Sequence, residues 1–271
     1  MKKPIMVIDV ARCHDCNNCF MSCKDEYYNN EFPPYTCSMM RHGQRWMNIQ
    51  RGERGDFPYV DATYLPTPCQ QCQDAPCIAA GNGAVTRRED GIVMIDIEKA
   101  KNMKELVDAC PYGAISWNEE HCLPQKCSFC AHLLDEGWDK PRCVQSCPTG
   151  ALTFHFVEDA DFDAFCKENG LAAYKAELGT NPHVLYKNLY RFTKHFVTGS
   201  LVLDGDCAEG EEVTLKLADG STRTCITNTF GDFKFDDLEM GDYTVSFKTK
   251  AGQKDVTVNL VKSFHLGAFD L

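Results

Sequence analysis

The residues of this chain whose type and spacing could do chemistry are its cysteines, 17 among 271 residues. All but Cys166, Cys207 and Cys225 lie between Cys13 and Cys147. Thiols form disulfides, bind metals or do neither. A disulfide framework is disfavoured, because the cysteine count is odd, the chain is longer than small secreted scaffolds, and its first residues hold no apolar run long enough for a signal peptide. Metal ligation by cysteine is therefore the chemistry that the sequence favours.

Two cysteine runs at the ends of this region have ferredoxin spacing. In such a run a tight loop presents three thiolates to one [4Fe-4S] cubane, and a fourth, one helical turn later, reaches the cubane of a partner run. The first run is Cys13, Cys16, Cys19 and Cys23; the last is Cys127, Cys130, Cys143 and Cys147, followed by Pro148. Exchange of the fourth ligands predicts two sites. Site A comprises Cys13, Cys16, Cys19 and Cys147, and site B comprises Cys23, Cys127, Cys130 and Cys143.

A second pair of runs lies between these two and has lost half of its thiols. Cys69, Cys72 and Cys77 begin one run, but its fourth place is Gly81. The counterpart run keeps only its last cysteine, Cys110, which precedes a proline. The lost ligands all belong to one cluster, so the spacing predicts three complete clusters and not four. Site C comprises Cys69, Cys72, Cys77 and Cys110; the cysteine-free set, here called the fourth position, comprises Gly81, Ala100, Met103 and Leu106.

The other cysteines and the histidines are not predicted to be main ligands of the clusters. Zinc also binds paired C-x-x-C units, but the Cys-Pro ends and the crossed pattern of loss favour iron. Cys122 lies close enough to Cys127 to be a minor alternative ligand, and His121 and His132 could tune a cluster through hydrogen bonds to sulfur. The other thiols are interpreted as buried or incidental: Cys37, Cys166, Cys207 and Cys225. No catalytic residue is predicted, because the chain has no nucleophile–base or Gly-rich cofactor motif.

Composition excludes several classes of function. The net charge of −11 does not supply the clustered Lys and Arg that a nucleic-acid backbone needs. No stretch approaches the roughly 18 to 20 apolar residues that cross a bilayer, so we expect no direct membrane insertion. Oxygen-sensitive clusters and the absence of an export signal predict a cytoplasmic complex, although a twin-arginine leader on a partner could export the folded chain.

The hydrophobic pattern predicts an α+β architecture in two domains. Residues 1–160 form a tandem ferredoxin-like iron–sulfur domain, and 161–197 form a linker with a helix from Asp161 to Lys175. From about residue 198 to 271, short alternating strands with frequent turn pairs predict an antiparallel β-sandwich, immunoglobulin- or prealbumin-like. Its inward residues are predicted to be Val213, Leu215 and Leu217 with Tyr243, Val245 and Phe247.

An insertion at about 24–68 separates the first two runs. It is rich in aromatic residues and arginines, a composition typical of protein interfaces, so we expect it to dock a partner subunit. The alternative is a self-packed cover over the clusters. The residues concerned are Tyr27, Tyr28, Phe32, Tyr35, Trp46, Phe57, Tyr59, Tyr64, Arg41, Arg45, Arg51 and Arg54.

Four ferredoxin-type runs in this order resemble the iron–sulfur subunits that partner molybdopterin oxidoreductases of the dimethyl-sulfoxide-reductase family. Three clusters with an appended β-sandwich are more similar to the small subunits of the pyrogallol–phloroglucinol transhydroxylases within it. The motifs that carry this resemblance run nearly end to end: Met6-Val7-Ile8-Asp9-Val10, Cys16-Asn17-Asn18-Cys19-Phe20-Met21, Arg45-Trp46-Met47-Asn48-Ile49, Gly81-Asn82-Gly83-Ala84-Val85, Arg88-Glu89-Asp90-Gly91-Ile92-Val93 and Tyr186-Lys187-Asn188-Leu189-Tyr190-Arg191-Phe192.

The resemblance implies a heterodimer whose large subunit holds the molybdopterin cofactor and takes up the polyphenol. This chain would then be a non-catalytic electron-transfer subunit. Two alternatives stay open. Transhydroxylation is redox-neutral overall, so the chain could be a structural scaffold whose clusters are not used in turnover; it could also serve a related reductive catechol dehydroxylase.

Overall fold

The computed structural model describes residues 2–250 and 252–271 and is rich in strands with few helices. It forms two compact units, unit 1 from Met1–Gln50 and Tyr64–Leu189 and unit 2 from Arg51–Thr63 and Tyr190–Leu271. The strands are β1 (Lys2–Asp9), β2 (Asn48–Asp56), β3 (Tyr59–Thr67), β4 (Val85–Arg87), β5 (Val93–Ile95), β6 (Ser116–Asn118), β7 (Leu123–Gln125), β8 (Leu152–Glu158), β9 (Leu171–Ala172), β10 (Val184–Lys187), β11 (His195–Leu203), β12 (Asp206–Cys207), β13 (Glu212–Lys216), β14 (Thr222–Ile226), β15 (Asp232–Leu238), β16 (Gly241–Thr249), β17 (Gly252–Leu260) and β18 (Phe264–Asp270). The α-helices are α1 (Asn18–Tyr27), α2 (Pro76–Ala80), α3 (Ala131–Asp135), α4 (Arg142–Gln145), α5 (Phe162–Asn169) and α6 (Tyr190–Thr193), and 3-10 turns span Lys104–Leu106, Asp159–Asp161 and Ala176–Leu178.

Unit 1 has a four-stranded sheet of order β8-β1-β10-β9. Its strand β1 is a continuous apolar run in which Ile5, Met6 and Ile8 are fully buried. Strand β8 runs antiparallel to β1, with Ile8 opposite Leu152. The chain leaving β1 therefore lies beside the chain entering β8, and this register carries the first and the last cysteine runs to one edge of the sheet.

The rest of unit 1 consists of loops and short hairpins. Strands β4 and β5 pair antiparallel, as do β6 and β7. The apolar side chains of β4 and β5 pack with the 3-10 turn that contains Leu106 in one buried cluster. Cys69 and Cys72 lie in the loop that precedes α2 and β4, and Cys110, Cys127 and Cys130 lie in the loops that flank β6 and β7.

The segment 161–197, predicted as a linker, is built into both units. Strands β9 and β10 belong to the sheet of unit 1, where β10 pairs in parallel with β1. The helix predicted to reach Lys175 ends at Asn169, because Gly170 adopts a left-handed conformation (φ 60°) and its N–H bonds back to the Lys167 carbonyl. The predicted boundary at residue 198 lies inside β11, so the observed units divide earlier, at Tyr190.

Unit 2 contains two four-stranded sheets around a single core. One has the order β12-β11-β15 with β18 beside β11, and the other has the order β14-β13-β16-β17. Within the second sheet Val213 faces Phe247 and Leu215 faces Val245 across neighbouring strands, and all four side chains are buried. Leu217, at the strand end, is only partly buried. The first sheet completes the core with these buried residues: Val197, Leu201, Phe233, Phe235 and Leu238.

The tip of the hairpin formed by β2 and β3 also belongs to unit 2. Arg54 is 9% exposed and donates from two nitrogens to the Asp236 carboxylate, at 2.7 and 2.8 Å. It also bonds Asp61 at 2.8 Å. Two ion pairs hold this guanidinium within its own unit. Arg54 is therefore not available to bind a partner subunit, contrary to the prediction for the insertion.

Candidate iron–sulfur sites

Site A lies where the loop after β1 meets the segment before β8. Burial raises the pKa of Cys13, and repulsion from the thiolates of Cys147 and Cys16 adds to the rise. Burial likewise raises the pKa of Cys19 to about 12, with Cys13 and Cys147 again among the neighbouring charges. Cys16 is exposed, while Cys13 and Cys147 are partly exposed. The four predicted ligands are therefore grouped, and this group is the most exposed of the three.

Helices α1 and α4 bring sites A and B side by side. The hydroxyls of Ser22 and Ser146 lie 2.7 Å apart, and the Ser146 hydroxyl also donates to the Asn18 carbonyl at 3.3 Å. Each serine directly precedes a cysteine, Cys23 in one helix and Cys147 after the other. A helix turns once in 3.6 residues, so Cys19 and Cys23 lie on the same face of α1 at successive levels. This packing produces the crossed arrangement that the spacing predicts.

Site B is buried throughout. Burial raises the pKa of Cys23 well above its ordinary value, and the thiolates of Cys127 and Cys130 add to the rise. Burial raises the pKa of Cys143 in the same way, and the charges of Cys130 and Cys127 add to the rise. All four cysteines are at most 9% exposed. Neutral thiols are favoured here in the absence of metal, so the arrangement suits ligands that ionise only when iron binds them.

Site C gathers cysteines from distant parts of the sequence. Burial raises the pKa of Cys72 to about 12, and the thiolates of Cys69 and Cys110 are among the charges that add to it. Cys77, on α2, interacts with the same two thiolates. Cys110 thus lies with the run at 69–77 despite its distance in sequence, as the exchange of fourth ligands predicts.

The three groups form a row. Cys143 of site B interacts with Cys19 of site A, and Cys127 of site B interacts with Cys69 of site C. Direct bonds agree with this order: Ser22 bonds Ser146 where sites A and B meet, and Gln71, between Cys69 and Cys72, donates to the Cys127 carbonyl at 2.8 Å. Site B therefore lies between the other two.

Backbone and hydroxyl donors point at the sulfur atoms. The N–H of Ala114 donates to Cys110 Sγ and that of Phe129 to Cys127 Sγ, each at 3.4 Å. Phe129 and Cys130 have positive φ angles of 54° and 51°, a conformation that turns successive N–H groups toward one point. Burial opposes ionisation of Cys147, but three N–H groups and the Thr149 hydroxyl outweigh it and lower its pKa. Such donors stabilise negative sulfur.

The donor set fits cubanes better than a single metal ion. Within residues 2–250 and 252–271, no three Cys, His, Asp or Glu side chains lie close enough to hold one metal ion together. A [4Fe-4S] cubane requires a different arrangement, because each of its four irons takes its own thiolate and the sulfur atoms stay apart. Three groups of four thiols with N–H donors around them meet that requirement.

At the fourth position, apolar side chains fill the space. Ala100 and Leu106 are fully buried, and Met103 packs against them in the cluster that contains Val85. A Cβ at Gly81 would lie 2.6 Å from Val85 Cγ2 and 2.9 Å from the Cys77 carbonyl. A side chain at residue 81 therefore has no room unless the surrounding backbone moves.

The remaining thiols and histidines have other recorded partners, although Cys37 lies in the buried cluster that contains Cys77 of site C. Cys37 is buried against Gln125, and the Cys122 sulfur donates to the Glu119 carbonyl at 3.7 Å. Cys166 and Cys225 pack against apolar clusters, and Cys207 is exposed. His132 bonds Glu26 at 2.9 Å and His121 bonds Ser38 at 2.9 Å, so neither of these bonds is to sulfur.

Sequence reasoning missed three side chains beside the sites. The hydroxyl of Tyr27 bonds that of Ser128 at 3.2 Å and opposes the rise that burial causes in the pKa of Cys130. The hydroxyl of Thr180 bonds that of Tyr112 at 2.7 Å and acts in the same way on the pKa of Cys72. Lys126 is 5% exposed and lies next to Cys127. The position of Lys126 directly before a C-x-x-C pair was a usable signal, whereas Tyr27 and Thr180 are remote in sequence from the thiols they touch.

None of the described helices is both long and apolar enough to cross a membrane.

Comparison with known proteins agrees with this geometry. The family described as a 4Fe-4S dicluster domain matches residues 60–157. The chain is 52% identical over 278 residues to the pyrogallol hydroxytransferase small subunit of Pelobacter acidigallici, covering 100% of both chains. It is 32% identical to an iron–sulfur subunit of a putative dimethyl sulfoxide reductase of Halobacterium salinarum, covering 68% of this chain and 78% of the other. It is 31% identical to a subunit of the selenate reductase of Mesobacillus selenatarsenatis, covering 69% and 74%. The chain therefore belongs to the family of pyrogallol hydroxytransferase small subunits, among the iron–sulfur subunits of dimethyl-sulfoxide-reductase-type enzymes.

Proposed function

We propose that this chain is the electron-transfer subunit of a molybdopterin enzyme that converts pyrogallol to phloroglucinol, and that it holds [4Fe-4S] clusters at sites A, B and C. The grouping of twelve cysteines into three crossed sets of four is the observation that carries the proposal. The name and full-length identity of its Pelobacter relative support the substrate class. When bound, the clusters supply one-electron transfer.

The protein itself binds the clusters, excludes water from them and stabilises their negative charge. Four thiolates on a 2+ cubane leave a charge of about −2 at each site, and burial of that charge requires hydrogen-bond donors. The N–H groups of Ala114 and Phe129 supply two of them. The burial of site B excludes water from the middle of the row, and the exposure of Cys16 leaves site A nearest to the surface.

The proposed partner is a large catalytic subunit that holds the molybdopterin cofactor, in a heterodimer located in the cytoplasm. The names of its relatives, each one subunit of a larger reductase or transferase, support such a partner. In each unit, the exposed residues of the insertion at 24–68 are proposed to contact the large subunit, whereas Tyr27 and Trp46 pack on each other inside unit 1 with ring centroids 4.6 Å apart. The exposed members are Arg41, Arg45, Arg51 and Phe57.

Unit 2 is proposed to be a β-sandwich of the immunoglobulin or prealbumin type that contacts the large subunit. Two sheets around one core support the sandwich. Hydrogen exchange on the chain with and without its large subunit tests the contact. New protection on unit 2 strands would support it, and unchanged exchange across 195–271 would contradict it.

Rapid-freeze EPR of the complex during turnover with pyrogallol tests the function. Cluster signals that appear and decay at the rate of molybdenum reduction or reoxidation are expected. Clusters that stay silent through priming and turnover would contradict electron transfer and favour a scaffold. Activity only with a reductant and a catechol would instead indicate the related dehydroxylase.

A further inference from the structure

Lys126 is a buried lysine on the segment that enters site B. Its side chain is 5% exposed, and its Nζ donates to the carbonyl oxygens of Val93 and Cys127. These partners are uncharged, and within the described residues no carboxylate forms an ion pair with this ammonium. A buried ammonium with only carbonyl partners is costly, so a negative group must compensate it.

Once iron is bound, the negative groups near Lys126 are cysteine thiolates of two different sites. Val93, whose carbonyl accepts from Lys126, lies in the buried cluster that contains Cys77 and packs against Cys110, both in site C. The Lys126 charge opposes the effect of burial on the pKa of these two thiols. It does the same for Cys127, in site B. At Cys77 it is the largest effect of any neighbouring charge. The two recorded bonds of Lys126 are to Val93 and Cys127, and neither of these residues belongs to site A.

Other cations lie near one site only. Lys24 lies near Cys23, and Arg142 lies near Cys130, both in site B. Arg142 is also paired with Glu26 at 3.0 Å, so part of its charge is already balanced. Lys126 differs from both because it is buried and has thiolates of two sites around it.

We propose that the Lys126 ammonium is a fixed counter-charge shared by sites B and C, and that it raises the reduction potentials of the clusters held there. This inference rests on the proposed function. One-electron reduction adds negative charge to a site, and a buried cation stabilises the reduced form more than the oxidised form. Because Lys126 lies beside sites B and C, it favours reduction of the clusters at these two sites over reduction of the cluster at site A.

An EPR-monitored redox titration of the holo complex with dithionite tests this. The site A signal is identified as the one lost in Cys16→Ser, and the site C signal as the one lost in Cys110→Ser. In Lys126→Gln, the midpoint potentials of sites B and C should shift to lower values, site C more, while site A stays unchanged. Lys126→Arg, which keeps the charge, should stay near wild type. Lys24→Gln should lower the potential of site B and leave site C unchanged.

Three unchanged potentials in Lys126→Gln, or an equal shift at all three sites, would overturn the proposal. If Lys126→Gln does not assemble, Lys126→Arg decides the question. Assembly with wild-type potentials shows that the charge is required, whereas failure of both variants, or lowered potentials in the arginine variant, contradicts the proposal. A wild-type complex without three separable cluster signals would contradict the proposed function itself, before Lys126 is tested.

Discussion

Sites A and B form a complete pair, whereas site C is paired with a fourth position that has no thiols. In the first pair each run keeps its terminal cysteine, and Ser22 and Ser146 hold the two crossing helices together. In the second pair Cys110 lies with the cysteines of site C. Gly81, at the fourth place of the other run, has no thiol to offer in exchange. Because ligands are exchanged between runs, one cluster can be lost without the removal of any ligand from the other three.

The two pairs also differ in what fills the space between the loops. Sites A, B and C are lined by thiols whose pKa values are mostly raised by burial, so without iron they are poor cores. The fourth position is filled by fully buried Ala100 and Leu106 within a larger apolar cluster. If sites A, B and C hold clusters as proposed, hydrophobic packing stabilises the fourth position and metal stabilises the other three.

Removal of iron should have the largest effect. It should distinguish the loops of sites A and B from the fourth position by their loss of hydrogen-exchange protection. Chelation under reducing conditions is expected to abolish hydrogen-exchange protection around 13–23 and 127–147, where ligation holds the loops. Residues 84–106 should keep more protection because their core is apolar. The core strands of unit 2, which carry no ligand, serve as the internal control. Equal loss of protection across unit 1 would contradict the comparison.

Cys110→Ser should remove one cluster and leave two. Iron is expected to fall from about twelve to about eight per chain, with the EPR signals of sites A and B retained. Cys122→Ser is the matched control, since its sulfur bonds the Glu119 carbonyl and lies outside the three groups. Loss of a signal assigned to site A or B in Cys110→Ser would refute the crossed assignment, and loss of iron in the control would revive Cys122 as a ligand.

Leu106→Ala should destabilise unit 1 without loss of iron. Truncation of a fully buried leucine costs about 2–5 kcal/mol because it leaves a cavity in the apolar cluster. Thermal unfolding followed by tryptophan fluorescence measures the effect, since Trp46, Trp117 and Trp138 all lie in unit 1. A drop in iron content, or an unchanged midpoint of unfolding, would mean that Leu106 does not stabilise the fourth position as packing.

Gly81→Ala should have the smallest effect, a loss of about 1–3 kcal/mol from overpacking. The new methyl group would lie 2.6 Å from Val85 Cγ2. In the double variant with Val85→Ala, part of the clash is relieved, so the loss should be less than the sum of the two single losses. Simple additivity in thermal unfolding would show that residue 81 and Val85 do not compete for the same space.

The cysteine groups could be predicted from the sequence because ferredoxin spacing encodes them locally. Cys19 and Cys23 are one helical turn apart, and this spacing predicts that they bind different clusters. The alternation around Val213 and Val245 likewise predicted the core of unit 2. Other features depend on contacts that no local pattern records. The bonds from Arg54 to Asp236 join the tip of the β2–β3 hairpin to β15, within unit 2, across 182 positions.

Iron and sulfide content of the anaerobically purified wild-type chain tests the central claim most directly. The account predicts about twelve irons and about twelve inorganic sulfides per chain, from three cubanes and an apolar fourth position. About sixteen irons would show that a fourth cluster binds where Gly81, Ala100, Met103 and Leu106 lie. About eight would show that Cys110 does not complete site C.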